Sequence, residues 1–293
     1  MHVPGEQRRQ DGIERATNGS RASESASRQH HSVMGTRAIP EDRHSQRSRV
    51  AHELPLQHFL QPDDVTCGPT CLRKVYDFYG IRPELEEVLG ETDRNEDGGT
   101  LAVYLAISAM RRGFRSRIFS YDLRIFDPTW KGLPTKALTD KVRARLPYLR
   151  QPKARSAAEA YLQYLQLGGM LGFNELTPRL LKEILDRDHP ILAGLSATYL
   201  YRMPRERHHP ETHQLLDDDV AGDPVGHFIV ISGYERWGRR FVVLDPSAHV
   251  PLSEDGRQVV DAQRLTNAIL LGDLTYDAVL LELWPGPELR GSE

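Results

Sequence analysis

The sequence predicts an α+β fold in which an N-terminal helical part packs on an antiparallel sheet, and three stretches predict it. Residues 67–80 place Cys71, Leu72, Val75, Phe78 and Tyr79 at three- and four-residue steps and stop at Gly80, the pattern of a buried helix. Residues 226–234 (Gly-His-Phe-Ile-Val-Ile-Ser-Gly-Tyr) and 240–247 (Arg-Phe-Val-Val-Leu-Asp-Pro-Ser) are β-branched and aromatic runs joined by a turn at 235–239, the pattern of a hairpin. Thr177-Pro178 caps a helix with Leu180, Leu181, Ile184 and Leu185 on one face and His189-Pro190 at its end; residues 190–195 then read as a buried strand lying beside the strand that starts near His227.

The remaining elements follow in order. Residues 1–50 contain no Phe, Tyr or Trp and are dominated by Arg, Ser, Gln, Glu and His, so they cannot bury enough apolar surface to offset chain ordering. They are expected to be a disordered segment without a secretory signal, with Met34 as an alternative start, ahead of one domain over 51–293. Residues 51–62 read as an extended lead-in whose Leu54, Leu56, Phe59 and Leu60 pack on the domain. A short helix over 83–89 follows, and then an acidic loop, whose spacing does not fit a calcium loop, ends at Thr100. Thr100 is the expected N-cap of a helix over 101–110, closed by Gly113, and 114–121 reads as a strand with no clean polar face. Residues 122–175 are expected to be a helical insertion, with one helix through Leu138, Val142 and Leu146 and another opened by a capping box at Ser156 and closed at Gly168-Gly169. The insertion is rich in Lys and Arg between 131 and 155, read as a solvated face, with capture of an acidic substrate or carrier as the alternative. Residues 202–223 carry His208, His209 and His213 with Asp217, Asp218 and Asp219; without ligand spacing on ordered elements they are expected to form a mobile flap over the cleft, not a zinc site. The tail predicts a helix near 261–271 and a last strand over 276–283.

Four residues carry chemistry. A thiol attacks an acyl carbon well only as the thiolate, and the unpaired N–H groups at a helix start favour that anion. Cys67 stands at the start of the first helix, and Pro69 is tolerated in its first turn. Cys71 lies a turn further in and reads as core, which is also the ordinary role of a free cysteine. Gln61, six positions before Cys67, can offer its side-chain amide to an oxyanion forming beside the thiolate, with the Cys67 N–H as second donor. His227 opens one hairpin strand and Asp245 closes the other, so an antiparallel pairing makes them neighbours: the Asp accepts from one imidazole nitrogen and leaves the other facing the thiol.

The stretch Gln-Pro-Asp-Asp-Val-Thr-Cys-Gly-Pro-Thr-Cys-Leu, with Gly-His-Phe-Ile-Val-Ile-Ser-Gly-Tyr and Val-Leu-Asp-Pro-Ser far downstream, resembles the bacteriocin-processing (double-glycine leader) cysteine peptidases and their stand-alone relatives. The resemblance covers both ends of about 54–283 and leaves the middle unmatched. It implies a papain-like cysteine peptidase fold and a catalytic set of Cys67, His227 and Asp245, with Gln61 in the oxyanion hole. The expected activity is hydrolysis of a peptide or amide bond through a thioester on Cys67. The alternatives are an acyltransferase or transpeptidase passing the acyl group to an amine, and an inactive peptide-binding module. No cofactor or metal is implied; the expected partner is a peptide or amide substrate, free or presented by a carrier or partner protein. A formal net charge of −3 gives no pull toward nucleic acid. Two cysteines and the absence of a long apolar run argue for a soluble, cytoplasmic protein that neither spans nor binds a membrane.

Overall fold

In the computed structural model, which describes residues 50–95, 98–209, 212, 215–248, 256–275 and 278–289, the chain begins on a short strand, β1 (Val50–Glu53), and reaches helix α1 (Cys67–Phe78) after a loop. Helices α2 (Leu85–Glu91) and α3 (Ala102–Arg111) lead to β2 (Phe114–Ser120). Residues 122–175 supply α4 (Thr135–Arg145), α5 (Pro152–Gln166) and the short β3 (Met170–Gly172). Then come α6 (Pro178–Leu185), β4 (Ile191–Ser196), the one-turn α7 (Ala197–Tyr201) and the strand pair β5 (Glu206–His208) and β6 (Leu215–Asp217). The long β7 (Gly226–Glu235), β8 (Arg240–Leu244), β9 (Arg257–Asp261), α8 (Ala262–Leu271) and β10 (Val279–Pro285) complete it.

Among the described residues, seven strands lie in the order β3-β2-β10-β4-β7-β8-β9 and β1 joins as the eighth. Every pairing is antiparallel except β2 with β3. β4 covers β7 from Gly226 to Ile231, and β1 takes up the end that β4 leaves, pairing with residues 233–235. Both faces of the sheet are covered. Tyr76, Leu105 and Tyr164 pack with Phe228 and Val230 on one face, and Leu181, Ile184 and Leu265 pack with Ile191, Ile229 and Phe241 on the other. Double coverage explains why β4 is buried at all six positions and why 114–121 shows no polar face: Ile118 belongs to one core and Phe119 to the other.

The fold is therefore α+β, with the predicted nucleophile helix on a mostly antiparallel sheet. Helix α1 stops as expected, with Gly80 at φ 81°. Thr177 caps α6 by accepting from the Leu180 N–H at 3.2 Å, and β4 pairs with β7 so that Leu195 stands opposite His227.

Several local expectations are corrected. Thr100 does not cap α3; its hydroxyl donates to the Asp93 carbonyl at 3.0 Å and Leu101 takes the cap position. Ser156 does not open α5, because Pro152 at N1 starts the helix a turn earlier. Leu54 is buried, but Leu60 is 52% exposed, and the lead-in contributes a strand where an extended segment alone was expected. Residues 202–223, expected as a loop, contain the β5–β6 pair, tied by an Arg207–Asp218 ion pair at 2.7 Å. β9 has no counterpart in the sequence reading. The expectations for residues 1–49 and for His213 lie outside the described residues, and no helix among those described is long and apolar enough to cross a membrane.

Candidate active site

Cys67 is the first residue of α1 and is half-buried. Its N-cap, Thr66, makes no side-chain cap and the first turn carries no acid, so no side-chain anion competes for the helix's free N–H groups. The loop before it is shaped by Asp63, whose Oδ1 accepts from the Val65 N–H at 3.1 Å and whose carbonyl accepts from the Thr66 hydroxyl at 3.3 Å. Gly68 lets this end of the helix sit close: a Cβ there would lie 2.6 Å from Thr100 Cγ2 and 3.4 Å from the Phe228 ring. One turn on, Cys71 is fully buried and donates its thiol to the Phe228 carbonyl at 3.3 Å. The second cysteine thus pins α1 to β7 at the residue next to His227, and burial pushes its thiol up.

His227 is 9% exposed, and its Nε2 lies 2.9 Å from Asp245 Oδ1. The imidazole also lies within hydrogen-bonding reach of the Cys67 thiol. Burial opposes the imidazolium here, but the Asp245 carboxylate and Cys67 outweigh it and hold His227 well above its ordinary range. Asp245 has no exposed surface. Burial alone would raise its carboxyl; His227, the Tyr201 hydroxyl and the Ser247 N–H at 2.8 Å reverse that and lower it. The backbone holds it in place: the Asp245 N–H donates to the Gly256 carbonyl at 2.8 Å, and Gly256, at φ 66°, approaches too closely for any Cβ. The hairpin register pairs Val230 with Leu244, which sets Asp245 just beyond the last pair, beside the β7 end that carries His227.

Gln61 is anchored to the same corner, its N–H donating to the carbonyl of Pro246 at 2.8 Å. Its side-chain Nε2 donates to the Asp63 carbonyl at 2.7 Å, which fixes the amide and leaves the second N–H of that NH₂ for another acceptor. Its Oε1 is buried without a hydrogen-bond partner. Cys67, His227 and Asp245 are therefore brought into one contiguous set, and Gln61 is tied to the residue following Asp245. Tyr201 is a member of this corner that the sequence does not announce, since it lies 44 positions from the Asp it contacts. Among the described residues, no group of three or more His, Cys, Asp or Glu is gathered as a metal site. Just after β6, Asp218 is held at about 2 by the Ala221 N–H, Arg207 and the Val220 N–H.

No protein-family model matches the chain, and no curated protein matches it. Solved structures do. A double glycine motif protease from an AMS/PCAT transporter, in complex with a leader peptide, is 12% identical with a TM-score of 0.38, over 80% of this chain and 95% of that one. The peptidase domain of Streptococcus ComA, a bi-functional ABC transporter of a quorum-sensing pathway, is 15% identical with a TM-score of 0.35, over 78% and 96%. A Bacillus anthracis protein described as a C39-like peptidase is 10% identical with a TM-score of 0.37, over 80% and 96%. At these identities and scores the likenesses carry nothing about activity.

Proposed function

We propose that the chain is a cysteine peptidase or amidase that cleaves a peptide or amide bond through a thioester on Cys67. The observation that carries this is the position of the His227 ring, buried between the Cys67 thiol and the Asp245 carboxylate at the start of α1. His227 takes the thiol proton, and Asp245 keeps the ring oriented and stabilises its protonated form. The thiolate attacks the acyl carbon. The oxygen that gains charge is met by the Cys67 N–H and by the free N–H of the Gln61 amide; losing one such donor costs about 3 kcal/mol of barrier. The protonated His227 returns its proton to the leaving amine, and water, deprotonated by His227, releases the acyl group.

An epoxysuccinyl peptide probe with mass-spectrometric readout tests this. Modification of Cys67 in the parent, lost in Cys67→Ser and His227→Ala while both remain folded, is the expected result. Absence of modification in the parent would favour a binding module. Saturable transfer of the acyl group to a primary amine acceptor, outrunning its hydrolysis, would replace the hydrolase with an acyltransferase.

A further inference from the structure

The two oxygens of Asp245 are held from opposite sides. Oδ1 takes the His227 ring nitrogen at 2.9 Å and the Ser247 N–H at 2.8 Å. Oδ2 takes the hydroxyl of Tyr201, a buried residue that ends α7 and belongs to the core on the face of the sheet away from α1. α7 is itself fastened to the approach of β7. The Ala197 N–H donates to the Val225 carbonyl at 2.9 Å, the Val225 N–H donates to the Thr198 hydroxyl at 3.0 Å, and Ser196 Oγ accepts from the Tyr199 N–H at 3.3 Å. The helix ends at once after Tyr201, because Arg202 adopts the left-handed region at φ 55°.

We propose that Tyr201 is a positioning residue of this site: by donating to Asp245 Oδ2 it fixes the plane of the carboxylate so that Oδ1 stays aimed at His227. This rests on the cysteine–histidine reading above. The terminal torsion of an aspartate is soft, and a carboxylate held through one oxygen swings about it. A second donor on the other oxygen removes that freedom, and a hydroxyl bonded to an anion is among the stronger hydrogen bonds. The hydroxyl also favours the ionised carboxylate, which in turn favours the imidazolium that must form when Cys67 gives up its proton. The titratable groups facing Asp245 are His227 from β7, Tyr201 from α7, and Cys71 and Lys74 from α1. His58 lies against Gly256, whose carbonyl holds the Asp245 N–H. Lys74 is fully buried, with its amine lacking a hydrogen-bond partner.

The test is the rate of Cys67 alkylation by iodoacetamide against pH in the parent, Tyr201→Phe, Asp245→Asn and His227→Ala. Phe keeps the ring and removes only the donor. The acid limb in Tyr201→Phe is expected to move to higher pH, toward that of Asp245→Asn, with alkylation on the limb slowed about tenfold, the worth of one modest hydrogen bond. A tyrosine acting only as packing leaves the limb where it is, and that result overturns the proposal. If Tyr201→Phe does not fold, Tyr201 labelled with 13C at the ring carbon bearing the hydroxyl serves in the folded parent: its signal is expected to shift when Asp245→Asn removes the anion, and an unmoved signal overturns the proposal by removing the hydrogen bond it stands on. A parent whose Cys67 alkylation does not depend on His227 would instead remove the cysteine–histidine reading itself. A parent that behaves as expected beside an unmoved Tyr201→Phe removes only the role of Tyr201.

Discussion

Two cysteines one turn apart on α1 meet different surroundings, and the proposed roles rest on that difference. Cys67 faces His227 from the half-buried helix start, whereas Cys71 is sealed in the core with its thiol on the Phe228 carbonyl. Cys71→Ser is expected to cost about 1–3 kcal/mol of stability, the ordinary cost of a misfit polar group, and to leave Cys67 reactive; denaturant titration and peptide-resolved alkylation measure the two effects. The His227–Asp245 pair carries its own pH signature. Asp245 is depressed in the folded state, so its contribution is present above about pH 3.9 and is lost as pH falls through its folded value. His227 is raised, so its contribution is full below about pH 6.5 and is lost as pH rises through its folded value. The stability difference between parent and Asp245→Asn should therefore be greatest between about pH 4 and 6.5 and shrink on both sides. A flat difference across pH 3 to 9 would mean that the pair does not form. Cys67, His227 and Asp245 were legible because each stands at the end of a recognisable element, and Gln61 because it lies six positions before Cys67. Tyr201 was not, since a tyrosine in an apolar stretch reads as core until the contact of its hydroxyl is known.

Elements were legible where a local signal and the tertiary environment agree. Thr177-Pro178 and the leucine face behind it specify α6 from within ten residues, and the β4–β7 neighbourhood follows from two apolar runs that need the same sheet. The misreadings occur where a distant partner outbid a local pattern. Thr100 has the chemistry of a cap, yet Asp93 offers its hydroxyl an acceptor across the loop. β1 exists only because β7 extends past the end of β4 and leaves backbone groups to be paired. That pairing depends on Gly233, where the register of β7 against β8 shifts: a Cβ would lie 2.5 Å from the His52 carbonyl and 2.9 Å from Glu53 Cα. Gly233→Ala should displace β1 and cost about 1–3 kcal/mol. Hydrogen exchange should show loss of protection confined to residues 50–54, and intact protection there would show that the close approach is relieved in another way.

Across the molecule, the sheet is held at its middle by a buried carboxylate far from the reactive corner. Glu282 on β10 is 1% exposed and takes Arg187 at 2.7 Å, His189 at 2.8 Å and Arg117 at 3.4 Å, joining β10, β2 and the turn between α6 and β4. Burial alone would raise its carboxyl, but His189 and the two arginines lower it. The sign follows: Glu282 stabilises the fold above about pH 4.3, and that share is lost as pH falls through its folded value. Glu282→Gln should lose about 1–3 kcal/mol at neutral pH and show a shallower acid-unfolding curve than the parent. Equal acid sensitivity would place the titrating groups elsewhere. The architecture was legible at this scale because both sheet faces draw on long apolar runs. The cluster was not, because two arginines, a histidine and one carboxylate scattered over 117–282 have no spacing to recognise.

The central claim is a cysteine–histidine pair at the start of α1. It is tested most directly by iodoacetamide alkylation of each cysteine from pH 4 to 9 in the parent and His227→Ala, read by peptide mass. Rapid labelling of Cys67 well below the ordinary thiol range of about 8.5, lost in His227→Ala, with Cys71 slow in both, is the predicted result. Slow labelling of Cys67 that matches an ordinary thiol and ignores His227 would contradict the pair, and with it the peptidase.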